Sequence, residues 1–310
     1  MKKALVLGAT GGMGFALVEE LVSRGIETIA FARSSEKLAL FRQEWGPRAL
    51  IFSGDVMNES HLSKAVKSVD LVFHSINIPY EKWNPALFQI LEAILASCKK
   101  HNKPLIYVDN IYSYGRQSEP VCEVTSKQPH TKKGNIRLQL QKQIQTSTVP
   151  YILAHFPDFY GPKAESTILQ YTFKDMLKKS SALYVGNTRH KREFIYTKDG
   201  AKALVELALR EESYNESWNI SGTGTISGEE IAAIASSFFA KEIKLKPIHR
   251  WMIAMLGLFN PSMKEVVEMM YLTETPVILD GSKYEKNIGP IPKTPYQIGI
   301  VENLKELAKK

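Results

Sequence analysis

Ala4-Leu-Val-Leu-Gly8-Ala-Thr-Gly11-Gly-Met-Gly14 is the stretch whose reading decides the fold. A short apolar run ending in glycine reads as a strand buried on both faces of a parallel sheet. Residues 12–24 then carry Met13, Ala16, Leu17 and Leu21 at helical spacing, and Gly25 ends the helix. Between strand and helix, Gly8 permits a tight turn, Gly11 lets the backbone approach a ligand, and Gly14 lets the helix pack closely on the strand. The helix N-terminus offers free N–H groups and partial positive charge, which suit a diphosphate. The flanking strand and helix give the glycine pattern its weight. A glycine-rich turn without a ligand is the alternative.

Outward from this turn the chain alternates. Strands are expected at 28–32, 50–52, 71–74, 105–108 and 151–156. Helices are expected at 34–43, 58–67, about 84–100 and 133–145. Asn58 is placed to cap one helix and Pro85 to open another. Strands separated by helical crossovers form a parallel sheet covered on both faces. The fold class is therefore α/β, a Rossmann-type doubly wound parallel sheet with a smaller, mostly helical C-terminal lobe. The dinucleotide domain is placed at 1–160 and the substrate lobe at 161–310, with 194–222 returning to the first domain. Two helices, 199–210 and 227–240, and a tail with Pro276, Pro290, Pro292 and Pro295 mark the lobe.

Composition narrows the class. The formal net charge is +8, but the densest basic clusters, at 132–137, 189–192 and 241–246, are short and scattered. No aromatic-basic pattern supports nucleic-acid binding. The start, Met1-Lys-Lys, imitates a signal peptide, but the apolar run breaks into glycines and reaches Glu19-Glu20. Cys98 and Cys122 have no metal-like or redox-like spacing. The expectation is a cytoplasmic protein with reduced cysteines, no metal and no membrane partner. The apolar window 251–259 is read as a buried or interface helix.

The second strand ends in Phe31-Ala-Arg33-Ser34. An NAD site usually has an acidic residue here to accept from the ribose 2′-OH. Arg33 instead suits a 2′-phosphate and can stack on adenine, so NADP is expected in preference to NAD. A surface cation is the competing account. Asp55, in Gly54-Asp-Val56, can hydrogen-bond the adenine amino group or simply make a turn.

Together these residues resemble the short-chain dehydrogenase/reductase superfamily, in its extended epimerase/dehydratase branch. The resemblance rests on the glycine turn, on Val108-Asp-Asn-Ile-Tyr-Ser-Tyr-Gly115, on Pro157-Asp-Phe-Tyr-Gly-Pro162, on Phe194-Ile-Tyr-Thr-Lys-Asp199 and on Trp218-Asn-Ile-Ser-Gly222. It implies cofactor contacts from Gly8, Thr10, Gly11, Gly12, Met13, Gly14, Arg33, Asp55, Val56, Ser75, Asn77, Arg137 and Pro157. It also implies a small-molecule substrate and, by analogy at helices 85–101 and 133–147, a homodimer.

The family's catalytic residues are altered. Asn110 stands where the resemblance places serine or threonine. Lys133-Gly-Asn-Ile-Arg137 is the best match to the family's Tyr-x-x-x-Lys. Residues four apart share a helix face, so Arg137 is expected to depress the pKa of Lys133 and make it a general acid. Arg137 can hold the ribose but cannot exchange protons. Tyr112 and Tyr114, two apart in an extended segment, are expected on one side as competing donors. His74 and His155 are read as structural. Pro79, Tyr80 and Trp83 either form an aromatic wall or simply pack. Arg192 either binds an anionic substrate group or lies on the surface. Two functions remain: an NADP-dependent oxidoreductase, epimerase or dehydratase acting on a small carbonyl or sugar-like substrate, and a catalytically silent NADP-binding sensor.

Overall fold

The computed structural model describes residues 1–309. In its first half, β1 (Lys3–Leu7), β2 (Glu27–Ala32), β3 (Ala49–Ser53), β4 (Leu71–His74), β5 (Leu105–Asn110) and β6 (Tyr151–Phe156) alternate with α1 (Gly12–Ser23), α2 (Ser35–Trp45), α3 (Glu59–Lys67), α4 (Trp83–His101) and α5 (Lys132–Gln145). The second half runs β7 (Asp158–Tyr160), α6 (Ile168–Lys178), β8 (Ser181–Val185), β9 (Arg192–Tyr196), α7 (Thr197–Ala208), β10 (Glu216–Asn219), β11 (Thr225–Ile226), α8 (Gly228–Phe239) and β12 (Lys244–Ile248). It ends with α9 (Arg250–Leu256), α10 (Pro261–Val267), α11 (Tyr271–Glu274), α12 (Ser282–Asn287) and α13 (Tyr296–Ala308).

Seven strands form one parallel sheet in the order β3-β2-β1-β4-β5-β6-β10. Strand order reverses between β1 and β4, which opens a crevice at their carboxyl ends. Alternation along β1 feeds both faces. Ala4 and Val6 join Leu17, Leu21, Leu204 and Trp218 on the α1–α7 face. Leu5 and Leu7 join Leu91, Ile94, Leu140 and Ile144 on the α3–α5 face. β10 pairs with β6, and α7 packs on α1, so part of the second half lies in the first half's layers.

Local chemistry explains several boundaries. Asn58 Oδ1 accepts from the His61 N–H at 3.1 Å and starts α3. Asn84 is non-helical (φ −106°, ψ 123°), so regular helix in α4 begins at Pro85. Ser227 and Glu230 form a capping box that starts α8.

A third cluster, with Tyr160, Phe173, Tyr184, Phe194, Ile231 and Leu304, builds the lobe. The lobe holds more strand than the sequence suggested. β11, β9 and β7 form a three-stranded sheet, and β12 pairs with β8. These strands are too short for their periodicity to show in sequence. The window 251–259 is not buried: Ile253 is covered, whereas Trp251 is 63% and Phe259 91% exposed. No helix among the described residues is long and apolar enough to cross a membrane.

Candidate active site

The crevice begins at the glycine turn. Gly8 has φ +84°, and a Cβ there would lie 2.9 Å from the Ile76 nitrogen. A Cβ on Gly14 would overlap the Gly8 carbonyl oxygen, and one on Gly12 would lie 2.6 Å from Ala164 Cα. Gly11 caps α1 without a side chain, and the first turn carries no acid. The Gly11 N–H is taken by Gly8 O at 3.0 Å. The N–H groups of Gly12, Met13 and Gly14 have no acceptor among the described residues. Thr10 is half-buried beside them. This is a cradle for an anion, since unmet helix amides and partial positive charge coincide.

Around the turn, the Ser75 Oγ and N–H both donate to Leu7 O, at 2.9 and 3.0 Å. Asn77 is exposed, Pro157 is buried between β6 and β7, and Val56 is buried in the α3–α5 face. Arg33 is exposed at the end of β2, and its guanidinium has no protein partner among the described residues. Asp55 is exposed, and its Oδ1 accepts from the Met57 N–H at 2.9 Å.

Deeper in, Asn110 Oδ1 accepts from the Tyr112 N–H at 3.0 Å. The chain then makes a 3-10 turn at Tyr112–Tyr114 instead of remaining extended. At three residues per turn, positions two apart diverge, so the two tyrosines do not share a side. The Tyr114 hydroxyl donates to Asn219 Oδ1 at 2.8 Å, fully buried. The Tyr112 hydroxyl lies 2.7 Å from the Tyr80 hydroxyl. Burial pushes Tyr112 well above the usual phenol range, with Tyr80 and Asp158 adding to the effect. Burial pushes Tyr80 up to about 12. Tyr80 and Trp83 pack edge to face, with ring centroids 5.0 Å apart, and Trp83 is buried in the core and stacks toward Tyr112.

The electrostatics expected for Lys133 and Arg137 are corrected. Lys133 is buried, with its ammonium bonded to Glu265 and lying 3.2 Å from Glu268 Oε1. Glu268 also accepts the N–H groups of Lys132 and Lys133, at 2.8 and 3.2 Å. Arg137 has its own partners: Asp109 Oδ1 at 3.3 Å, the Tyr107 hydroxyl at 3.0 Å and the Trp83 ring at 4.5 Å. Carboxylates from distant segments, rather than Arg137 four residues away, are the charged neighbours of the Lys133 ammonium. The guanidinium does act on His74, which burial and then Arg137 hold down at about 3 and hence neutral.

Sequence reasoning missed a buried polar chain behind these residues. Asp109 Oδ2 accepts from Gln141 at 2.7 Å, and Gln141 Oε1 accepts from Lys127 at 2.7 Å. Lys127 Nζ lies 2.9 Å from His155 Nε2. It also missed Asp158, which pairs with buried Arg192 at 2.5 Å. Only Asp109 had a visible signal, as an acidic residue inside an otherwise apolar strand. Two further depressions lie elsewhere, along α4 against α3 and against α5.

A crevice at a strand-order reversal, opening beside unmet helix amides, is that of a Rossmann-type dinucleotide-binding fold. The family model "NAD dependent epimerase/dehydratase family" matches residues 4–221, and the chain belongs to that family. It is 22% identical over 252 residues to a UDP-N-acetyl-alpha-D-glucosaminuronate decarboxylase of Bacillus cytotoxicus, covering 74% of this chain and 78% of that one. A 32% identity to an uncharacterized protein of Saccharomyces cerevisiae spans 36% of this chain and 38% of that relative. The fold matches UDP-glucuronic acid 4-epimerase from Bacillus cereus, solved with NAD, at TM-score 0.80 and 18% identity, covering 99% of both chains. It also matches dTDP-glucose 4,6-dehydratase from Bacillus anthracis, solved with NAD, at TM-score 0.81 and 15% identity, covering 100% of this chain and 97% of that one. The chain is thus a member of an NAD(P)-dependent enzyme family.

Proposed function

We propose that this protein binds NADP(H) in preference to NAD(H) and reduces a small carbonyl or sugar-like substrate. The observation that carries the reading is the pairing of the amide cradle at Gly12–Gly14 with the Arg33 guanidinium, which has no protein partner among the described residues. The cradle suits a diphosphate, and Arg33 suits a further phosphate on the adenosine ribose. The cofactor, when bound, supplies or accepts the hydride.

The chain supplies position and a proton. Tyr112 is the donor in this reading. Its burial favours the neutral hydroxyl, which suits giving a proton to a developing alkoxide rather than taking one from an alcohol. Tyr80, within hydrogen-bond distance and partly exposed, passes a replacement proton inward from water. Asn110 holds the turn that presents Tyr112. Lys133 anchors Glu265 and Glu268, and so positions the segment that closes the lobe side of the cleft. Arg137, fixed by Asp109 and Trp83, keeps one buried donor, Nε, without a partner, and that donor suits a ribose hydroxyl.

The test is titration with NADPH and NADH, followed by turnover on a carbonyl panel. Arg33→Ala should weaken NADPH on the order of tenfold to a hundredfold and leave NADH unchanged. Equal affinity of the wild-type protein for both cofactors removes the role given to Arg33. Tyr112→Phe should bind NADPH normally and lose turnover. One observation favours the second reading, a silent NADP-binding sensor: the residue in the family's tyrosine position, Lys133, is locked by two carboxylates. Tight NADPH binding with no turnover on any carbonyl decides for it.

A further inference from the structure

We infer that the outer face of the α9–α10 hairpin docks onto an anionic lipid bilayer surface.

The hairpin turns its apolar stripe outward. Trp251, Ala254, Met255 and Leu258 follow the spacing of one helical face. In a globular protein such a face normally packs on the core. Here Trp251 is 63%, Met255 58% and Leu258 78% exposed, Phe259 reaches 91%, and within α9 only Ile253 is buried. Contiguous apolar exposure of this kind marks an interaction surface. The tip is ordered by its own hydrogen bonds. The Gly257 N–H donates to Ile253 O at 2.8 Å, the Phe259 N–H to Leu256 O at 3.1 Å, and the Ser262 N–H to Asn260 Oδ1 at 3.0 Å. Side chains this prominent suit a fluid surface that yields around them.

Charge selects the partner. Between residues 241 and 264, Lys241, Lys244, Lys246, Arg250 and Lys264 accompany a single carboxylate, Glu242. All five cations are exposed. Among the described residues only Lys244 has a carboxylate partner, Glu242 at 3.5 Å. β12 leads directly into α9, and Arg250 precedes Trp251. Lys264 flanks the tip, since a Cβ on Gly257 would lie 2.9 Å from its Cα. Free cations beside exposed Trp, Leu and Phe match anionic headgroups above acyl chains. A second copy of this chain is disfavoured, because two-fold pairing on this face would set like charges against each other. The hairpin is fastened to the edge of the crevice: Ser262 Oγ donates to Glu81 at 3.1 Å, and Glu265 and Glu268 hold Lys133. Docking therefore brings that edge to the bilayer.

The experiment mixes the full chain with vesicles of equal parts phosphatidylglycerol and phosphatidylcholine, and with pure phosphatidylcholine vesicles, and reads cosedimentation. Trp45, Trp83 and Trp218 are buried, so a blue shift of tryptophan emission reports Trp251 entering the interface. The protein should bind the anionic vesicles with that shift, less tightly as salt rises, and leave the neutral ones unbound. Leu258→Asp/Phe259→Asp and, separately, Lys246→Glu/Arg250→Glu should each weaken binding on the order of tenfold or more. Lys64→Glu/Lys67→Glu, on α3, removes the same charge elsewhere and should change binding little. Thermal melting checks that each variant is folded. No binding to anionic vesicles overturns the inference, as does equal weakening by the α3 pair, which would make net charge the cause. Loss of self-association in Leu258→Asp/Phe259→Asp without vesicle binding by the wild-type protein also overturns it, in favour of a second copy.

Discussion

Raising the pH from neutral should stabilise the wild-type protein relative to a Lys127→Met variant. Lys127 donates to Gln141 and His155 and lies 5.1 Å from the centre of the Tyr114 ring. Burial lowers its pKa from the usual 10.5 to about 8, although the charges of Asp109 and Glu123 act in the opposite sense. Between those two values the unfolded chain binds a proton that the folded protein does not. Stability therefore rises with pH across that window. The gap corresponds to about 3 kcal/mol, complete only above the unfolded value, with about 2 kcal/mol of it gained between about pH 7 and 9.5. The side chain keeps some contact with water, so solvent screening makes this an upper bound. Urea unfolding, followed by tryptophan fluorescence for both proteins across the pH series, measures it. Comparing the two proteins cancels the titration of the many tyrosines. A difference that stays flat with pH refutes the reasoning.

Three further outcomes are expected. Gly14→Ala forces α1 away from the Gly8 carbonyl, so it should weaken NADPH by roughly tenfold or more and lower stability by about 1–3 kcal/mol, read by fluorescence titration and thermal melting. Phe173→Ala empties a fully buried position in the lobe and should cost about 3–5 kcal/mol in denaturant unfolding. Ser227→Ala removes the side-chain acceptor for the Glu230 N–H at the start of α8 and should cost about 1 kcal/mol by the same measurement.

The first half of the fold could be read from sequence because its information is local. Apolar strands, helical spacing, a glycine turn and an Asn58 cap all lie within a few residues of what they determine. The lobe was harder because β7 and β11 are three and two residues long, and their partners lie far along the chain. The site was legible only as a set of positions. Lys133 and Glu268 are 135 residues apart, and no spacing rule joins them. Arg192 was visible as a possible anion anchor, but Asp158, which occupies it, looked like part of a loop motif. Tyr112 and Tyr114 parted because Asn110 bends the backbone after β5, a side-chain effect that strand geometry does not contain.

The return of β10 to the edge of β6, and of α7 to the flank of α1, bears on how this protein can be cut. A fragment stopping at residue 160 would leave the β6 backbone without its outer neighbour and strip apolar cover from Leu17 and Leu21. Exposed edges of that kind invite self-association. A minimal cofactor-binding piece for expression or display should therefore retain the sequence through Asn219, and a protease nick between the halves should leave them joined under native conditions.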